Sequence, residues 1–154
     1  MGFRPLASRL YADRVRIIVG SDEASAAPEA AVDEMRARGH EVALAGPLAG
    51  EEARWADVAR AVAERVARGE ADRGVLFCWT GTGVSIAANK VAGVRAALCG
   101  DAETARGARA WNNANVLCMG LRTTTAALAR EIVAAFLEAE PDGSEDDQIA
   151  KLEG

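Results

Sequence analysis

Histidine is almost absent from this chain of 154 residues: His40 is the one copy, and its place in the turn Gly39-His-Glu41 reads as structural rather than catalytic. Cysteine is scarce too. Cys78, Cys99 and Cys118 form no spaced pair of the kind that binds zinc, and an odd number leaves at least one unpaired, so free thiols in a reducing cytoplasm are expected. There is no excess of positive charge. With 18 Lys and Arg against 23 Asp and Glu, a formal net charge of -5, nucleic acid and anionic membranes gain no global attraction and are not expected partners. No apolar run reaches membrane-spanning length, and residues 1–13 carry arginines without the sustained apolar core of a signal peptide.

What is present is apolar sequence, 50% of the residues, enough to bury one sizeable core and form one domain. Short apolar runs at 15–20, 41–45, 75–77, 95–99 and 116–119 read as buried strands, and amphipathic stretches at 25–38, 55–68, 84–90, 101–110 and 125–138 read as helices. Strict alternation of the two predicts an α/β fold. We expect a three-layer (αβα) Rossmann-like, doubly wound sheet of five parallel strands in a single domain. The expected boundaries are an N-terminal extension at 1–13, the α/β domain at 14–140 and an acidic C-terminal tail at 141–154, solvated or docked on a partner chain.

Residues 74–90 organise the rest, because they read as buried strand, glycine-rich turn and helix. Gly81 and Gly83 permit backbone angles that larger residues resist, and the N–H groups at a helix start have no intrahelical acceptor, so the turn can cradle an anion or a developing oxyanion. Cys78 sits beside that turn. A thiol next to a helix N-terminus has its thiolate favoured, which suits a nucleophile or a proton-abstracting base. Asp22 follows the first strand, at the end of a parallel sheet where ligands usually bind; its alternative is a turn or helix cap. Cys99 and Cys118 lie within short apolar strands and read as small buried residues.

The run Phe77-Cys-Trp-Thr-Gly-Thr-Gly-Val-Ser-Ile-Ala-Ala-Asn-Lys90, continuing to Cys99, resembles the cysteine-glycine-threonine-glycine motif and following helix of the ribose-5-phosphate isomerase B and galactose-6-phosphate isomerase family. The likeness extends back through Gly69-Glu-Ala-Asp-Arg-Gly74 to Gly20-Ser-Asp22, and forward through Thr104-Ala-Arg106 and Asn112-Asn-Ala-Asn115 to Gly120-Leu-Arg122. It implies an aldose-ketose isomerase acting through a cis-enediolate. Cys78 would be the base, the N–H groups around Gly81, Thr82 and Gly83 the oxyanion cradle, and Thr80 a partner for the sugar. Neither cofactor nor metal is implied. Asp22 would face the sugar, Asn112 would hydrogen-bond the enediolate or cap its helix, and Arg122 would approach a phosphate. The resemblance also implies a homodimer, with tetramers open, in which Asn112 and Arg122 reach Cys78 from the neighbouring chain.

The sequence departs from the family pattern around the phosphate. Glu23 stands where a phosphate-binding histidine is usual, and two arginines of the family's C-terminal segment fall at Ser144 and Gln148. Charge-assisted hydrogen bonds contribute about 1.5–3 kcal/mol each, so these losses point to a weakly phosphorylated or non-phosphorylated sugar. Trp55, Trp79 and Trp111 replace the usual tyrosine, glycine and histidine. They either narrow the pocket and offer stacking faces or repack the core. The rival reading is a non-catalytic sugar- or metabolite-binding paralogue that kept the fold. A dehydrogenase ranks below both, since the glycine turn follows the third strand rather than the first and lacks the dinucleotide spacing.

Overall fold

A computed structural model describes residues 14–153; the expected N-terminal extension lies outside the described residues. The chain alternates β1 (Arg16–Ser21), α1 (Ala26–Ala37), β2 (Glu41–Ala45), a 3-10 turn (Gly46–Ala49), α2 (Trp55–Ala67), β3 (Arg73–Cys78) and α3 (Thr82–Asn89). It continues with β4 (Ala96–Leu98), α4 (Ala102–Asn112), β5 (Val116–Gly120), α5 (Ala126–Glu138) and α6 (Asp146–Leu152). All five strands are parallel, in the order β2-β1-β3-β5-β4.

Side-chain alternation along the strands divides the core into two layers. Ile17, Val19, Val75, Phe77, Leu117 and Met119 point to the face covered by α1, α4 and α5, where Met35, Ile132 and Phe136 complete the packing. Ile18, Leu76, Cys78, Val116 and Cys118 point to the other face, against Val58, Val62 and Val66 of α2 and Val84 of α3. The expected doubly wound sheet is therefore the observed one. Among the described residues no helix is long and apolar enough to cross a membrane.

Two helices are capped by short polar side chains. The Asp101 carboxylate accepts the Thr104 N–H at 2.7 Å, and the Thr125 hydroxyl accepts the Leu128 N–H at 3.1 Å. Helix α3 starts two residues earlier than its apolar pattern suggests, because Gly81, with φ +75, turns the chain directly into it. Strand β4 is three residues long rather than five. The Asn89 side chain takes over its outer edge, its amide nitrogen donating to the Ala96 carbonyl and its oxygen accepting the Ala96 N–H.

At the N-terminal edge of the sheet, the Arg16 guanidinium and backbone N–H both bond the Asp72 carboxylate, tying β1 to the loop before β3. His40 fills the structural role its turn suggested, its Nδ1 accepting the Val15 N–H at 3.1 Å. The acidic tail is not simply solvated. Residues of α6 bury nothing, but Glu153 pairs with Arg95 and the Asp142 N–H bonds the Ala110 carbonyl, so the segment lies along the C-terminal end of α4. Arg109 anchors its root. The residue is 1% exposed, and its side chain donates to the Ala114 carbonyl at 2.7 Å and to Asn113 Oδ1 at 2.9 Å and lies over the Phe136 ring.

The approach of α2 to β1 depends on Gly20, where a Cβ would fall 2.5 Å from Val58 Cγ1 and 2.9 Å from Val62 Cγ2. Both obstacles are β-branched side chains on a helix, with little rotamer freedom. Gly20→Ala is expected to cost about 1–3 kcal/mol through overpacking. Urea unfolding measures it, and an unchanged midpoint would show that α2 can move away without penalty.

Candidate active site

Strand order places the crevice. The chain leaves β1 toward β2 on one side and leaves β3 toward β4 on the other, so a cleft opens where the carboxyl ends of β1 and β3 part. Ser21 and Phe77 are the last residues paired between β1 and β3, which brings Asp22 and Cys78 to the rim together. Cys78 is 5% exposed and faces the α2–α3 layer. Burial pushes the Cys99 thiol up to about 11 and raises Cys118 further, so neither supplies a thiolate near neutral pH. Cys78 differs from both in standing at a strand end, beneath a helix start.

The turn from Cys78 to α3 is pressed onto the end of β5. The Leu121 N–H bonds the Cys78 carbonyl and the Arg122 N–H bonds the Trp79 carbonyl, each at 2.9 Å, continuing the β3–β5 ladder past the sheet. A Cβ at Gly81 would lie 2.8 Å from the Met119 carbonyl carbon, and one at Gly120 would lie 2.8 Å from the Thr80 oxygen. Glycine is needed on both sides of the contact. The N–H groups of Thr82 and Gly83 then open α3 with no carbonyl four residues back in the helix, at its positive end. Thr80 and Thr82 share a hydroxyl–hydroxyl bond of 2.7 Å beside them.

The three tryptophans separate. Trp55 lies against the turn, since a Cβ on Gly83 would fall 2.9 Å from Trp55 Cε3 and 3.0 Å from Cζ3. Trp79, 60% exposed, stands on the turn itself. Trp111 is elsewhere. Its ring covers Gly107 one helical turn back, and it hydrogen-bonds Asp142, whose carboxyl is held below the usual carboxylate range by the Ser144 hydroxyl and N–H and then by Trp111.

Asn112 is likewise remote within one chain. It ends α4, and the Asn115 carbonyl just beyond accepts the N–H of Gly74, four residues before Cys78. At about 3.3 Å per residue, four strand residues span about 13 Å. Asn112 and Cys78 thus leave opposite ends of the sheet. Asn112 instead lines a pocket of about 430 Å³ with Asn89, Arg95 and Leu152. Arg122 corrects an expectation: its backbone is bonded to Trp79 of its own chain, so no neighbouring chain is needed to bring it to the turn.

Next to the crevice is an open cleft of about 660 Å³ lined by Asp22, Pro47, Glu51, Glu52, Arg54 and Asp57 among others. The sequence reading did not single out Glu51, Glu52 or Asp57. Their signal was positional, since they follow β2 at the same carboxyl edge of the sheet as Asp22. Glu23 is exposed at the rim, its N–H donating to the Ser21 hydroxyl at 3.3 Å. Among the described residues no group of three or more His, Cys, Asp or Glu side chains is arranged to hold a metal ion.

Known proteins resemble this arrangement. The sequence family described as Ribose/Galactose Isomerase matches residues 17–152. Galactose-6-phosphate isomerase subunit LacB of Clostridium acetobutylicum is 42% identical over 114 residues, 74% of this chain and 66% of that subunit. D-erythrulose-4-phosphate isomerase 2 of Mycolicibacterium smegmatis is 51% identical over 88 residues, 57% of this chain and 58% of that protein. The matched stretches thus span just under two thirds of the first relative and well under two thirds of the second. The structure of type B ribose 5-phosphate isomerase from Trypanosoma brucei superposes with a TM-score of 0.82 at 41% identity, covering 91% of this chain and 97% of that one.

The Trp55–Gly83 contact makes a direct test. Gly83→Ala should keep the fold, since alanine favours a helix over glycine by about 1 kcal/mol, yet it must displace the indole. A change in tryptophan emission is expected that disappears in a Trp55→Ala background. The same change in both backgrounds would show that Trp55 does not rest on the turn.

Proposed function

The chain belongs to the ribose/galactose isomerase family, and from that membership we propose that it interconverts an aldose and a ketose through a cis-enediolate, with Cys78 as the base. The observation that carries the reading is one constellation: a thiol ending β3 at the strand-order reversal, four residues before a helix whose first N–H groups have no intrahelical acceptor. The thiolate takes the proton from the carbon next to the carbonyl, and the electron pair left behind moves onto the carbonyl oxygen. The N–H groups of Gly81, Thr82 and Gly83 hold that charge. The hydroxyl proton on the second oxygen passes to the first across the cis-enediolate, and the thiol returns its proton to the carbon that bore the original carbonyl as the other carbonyl forms. Thr80, Asp22, Trp55, Trp79 and Arg122 surround this point and are assigned to sugar hydroxyls, ring-face contacts and orientation.

The proposed substrate carries little or no phosphate charge. Among the described residues, the cleft is lined by the carboxylates Asp22, Glu51, Glu52 and Asp57 with Arg54 as its cation, and the Arg122 backbone is bonded at the neighbouring turn. A dianion meets net repulsion there, whereas a neutral polyol meets acceptors for its hydroxyls.

The same reading requires a second copy. Asn112 contributes to catalysis only if a neighbouring chain presents the end of α4, with Trp111 beside it, to the turn; a cytoplasmic homodimer, open to further assembly, satisfies this. Three free buried cysteines suit that compartment.

Incorporation of solvent deuterium into free and phosphorylated aldoses and ketoses tests the chemistry. Cys78→Ser is expected to keep the far-ultraviolet spectrum and to slow exchange by a factor of about 10²–10⁴. Undiminished exchange removes Cys78 from the mechanism. Calorimetric binding of a sugar that the unmodified protein never exchanges favours the binding paralogue. For the assembly, light scattering at micromolar protein should give a dimer or a multiple of it, and a monomer contradicts the shared site.

A further inference from the structure

A guanidinium taken out of water needs hydrogen bonds and a counter-charge close by, because burial removes its hydration and leaves its charge poorly screened. The amino edge of the sheet gathers three guanidinium groups and meets that need unevenly. Arg73 opens β3, Arg95 precedes β4, and Arg109 reaches from α4 to the loop 113–115. That loop ties them together. The Gly74 N–H bonds the Asn115 carbonyl, the Asn115 N–H bonds the Arg95 carbonyl, and Asn113 accepts from both Arg95 Nε and Arg109 Nη1. Strands β3 and β4 flank β5 at about 4.8 Å each, so the Arg73 and Arg95 backbones stand about 10 Å apart.

Arg95 is well provided for, paired with Glu153 and bonded to the Asn113 carbonyl. Arg109 is buried and uses Nη1 and Nε on the Ala114 and Ala139 carbonyls and Asn113 Oδ1. Its Nη2 makes no hydrogen bond among the described residues, and the Glu140 carboxylate lies 3.7 Å from it. Arg73 is half-buried, and among its N–H donors only Nη1 is used, on the Asp72 carbonyl. It forms no ion pair among the described residues, and the Asp72 carboxylate beside it is taken by Arg16. Glu140 attracts both Arg73 and Arg109, yet its side chain is 75% exposed. Burial, and then repulsion from Arg73, lower the Arg109 guanidinium to about 10 despite that carboxylate.

Holding the fold together does not account for Arg73. Arg109 already satisfies carbonyls at the ends of α4 and α5, and Arg95 fastens the loop and the tail. Arg73 adds a third positive charge beside them and bonds neither helix.

We propose that Arg73 and Arg109 form a binding site for a small phosphate-bearing anion, separate from the crevice, in which the Glu140 carboxylate is an internal occupant that the anion displaces. A tetrahedral dianion carries more charge and more acceptor oxygens than one exposed carboxylate, so it takes hydrogen bonds from both guanidinium groups. Displacing Glu140 also acts on the root of the tail, because Asp142, two residues on, holds Trp111. Arg73 and Cys78 are the two ends of β3, about 16 Å apart, so the site stands or falls separately from the isomerase reading.

Calorimetry on the full chain with inorganic phosphate and with pyrophosphate, at constant ionic strength set by chloride, tests the site. At least one of the two anions should bind saturably. Arg73→Gln should weaken that binding by about tenfold or more, the lower end of what one charge-assisted hydrogen bond contributes. Arg73→Lys should recover only part of it, restoring the charge without the planar fork. Glu140→Gln removes the internal occupant through an exposed side chain and should tighten binding, whereas Glu138→Gln, whose carboxylate faces Arg38, should not. Far-ultraviolet spectra check the fold of each variant, and if Arg73→Gln unfolds, the comparison of Glu140→Gln with Glu138→Gln decides. No saturable binding of either anion by the unmodified or the Glu140→Gln protein overturns the inference. Binding that a folded Arg73→Gln protein leaves unchanged overturns it too, because the anion then sits elsewhere, with the N–H groups that open α3 the first place to look. Equal tightening by Glu140→Gln and Glu138→Gln reduces the effect to overall charge and also overturns it. The isomerase reading is untouched by any of these results, since deuterium exchange tests it independently.

Discussion

The contact between the 78–83 turn and the end of β5 is the constraint on which the site depends. Two backbone hydrogen bonds, from Leu121 to Cys78 and from Arg122 to Trp79, hold the turn where the sheet would otherwise end. Those bonds form only because the backbones come close enough, and they come close only because Gly81 and Gly120 have no side chains. Everything chemical follows from that approach. It sets the direction in which α3 leaves, hence where its first N–H groups point, and it holds Cys78 at the end of β3 just before them.

The strand, glycine turn and helix were legible from sequence; their contact with the end of β5 was not. Apolar runs of strand length, separated by helical periodicity, are local signals, and Asp101 and Thr125 cap their helices through contacts three residues away. What escaped notice involves groups distant in sequence or specific side-chain pairing. Strand β4 looks five residues long in a hydrophobic profile, but Asn89 satisfies Ala96 from outside the ladder and ends the pairing early. The tail reads as solvated or docked on a partner chain because it is acidic, yet Glu153 finds Arg95 of its own chain across 58 residues of sequence. Arg122 was assigned to a neighbouring chain, although the parallel pairing of β3 with β5 carries its backbone to Trp79 in the same one.

The tryptophans show how one composition feature divides into unlike roles. Taken together they suggest a narrowed, stacking pocket, and Trp55 and Trp79 occupy positions that suit it. Trp111 has a different neighbourhood. Gly107 provides a flat seat for the ring one turn back, and Asp142 receives its hydrogen bond, so this indole helps fasten the tail to α4. A second copy that met this surface would meet an indole beside Asn112.

Charge is also divided along the strand direction. Arg73, Arg95 and Arg109 lie near one another toward the amino ends of the strands, where burial and mutual repulsion lower the Arg109 guanidinium to about 10 despite Glu140. Carboxylates dominate the carboxyl ends, around Asp22 and the 51–57 segment. Positive character at the crevice thus comes mainly from Arg54, Arg122 and the N–H groups that begin α3. Backbone N–H groups have short reach and fixed direction, and they stabilise a charge that appears on one nearby oxygen far better than they balance a permanent dianion. In the proposed reaction that arrangement suits a transient enediolate better than a permanently charged anchor.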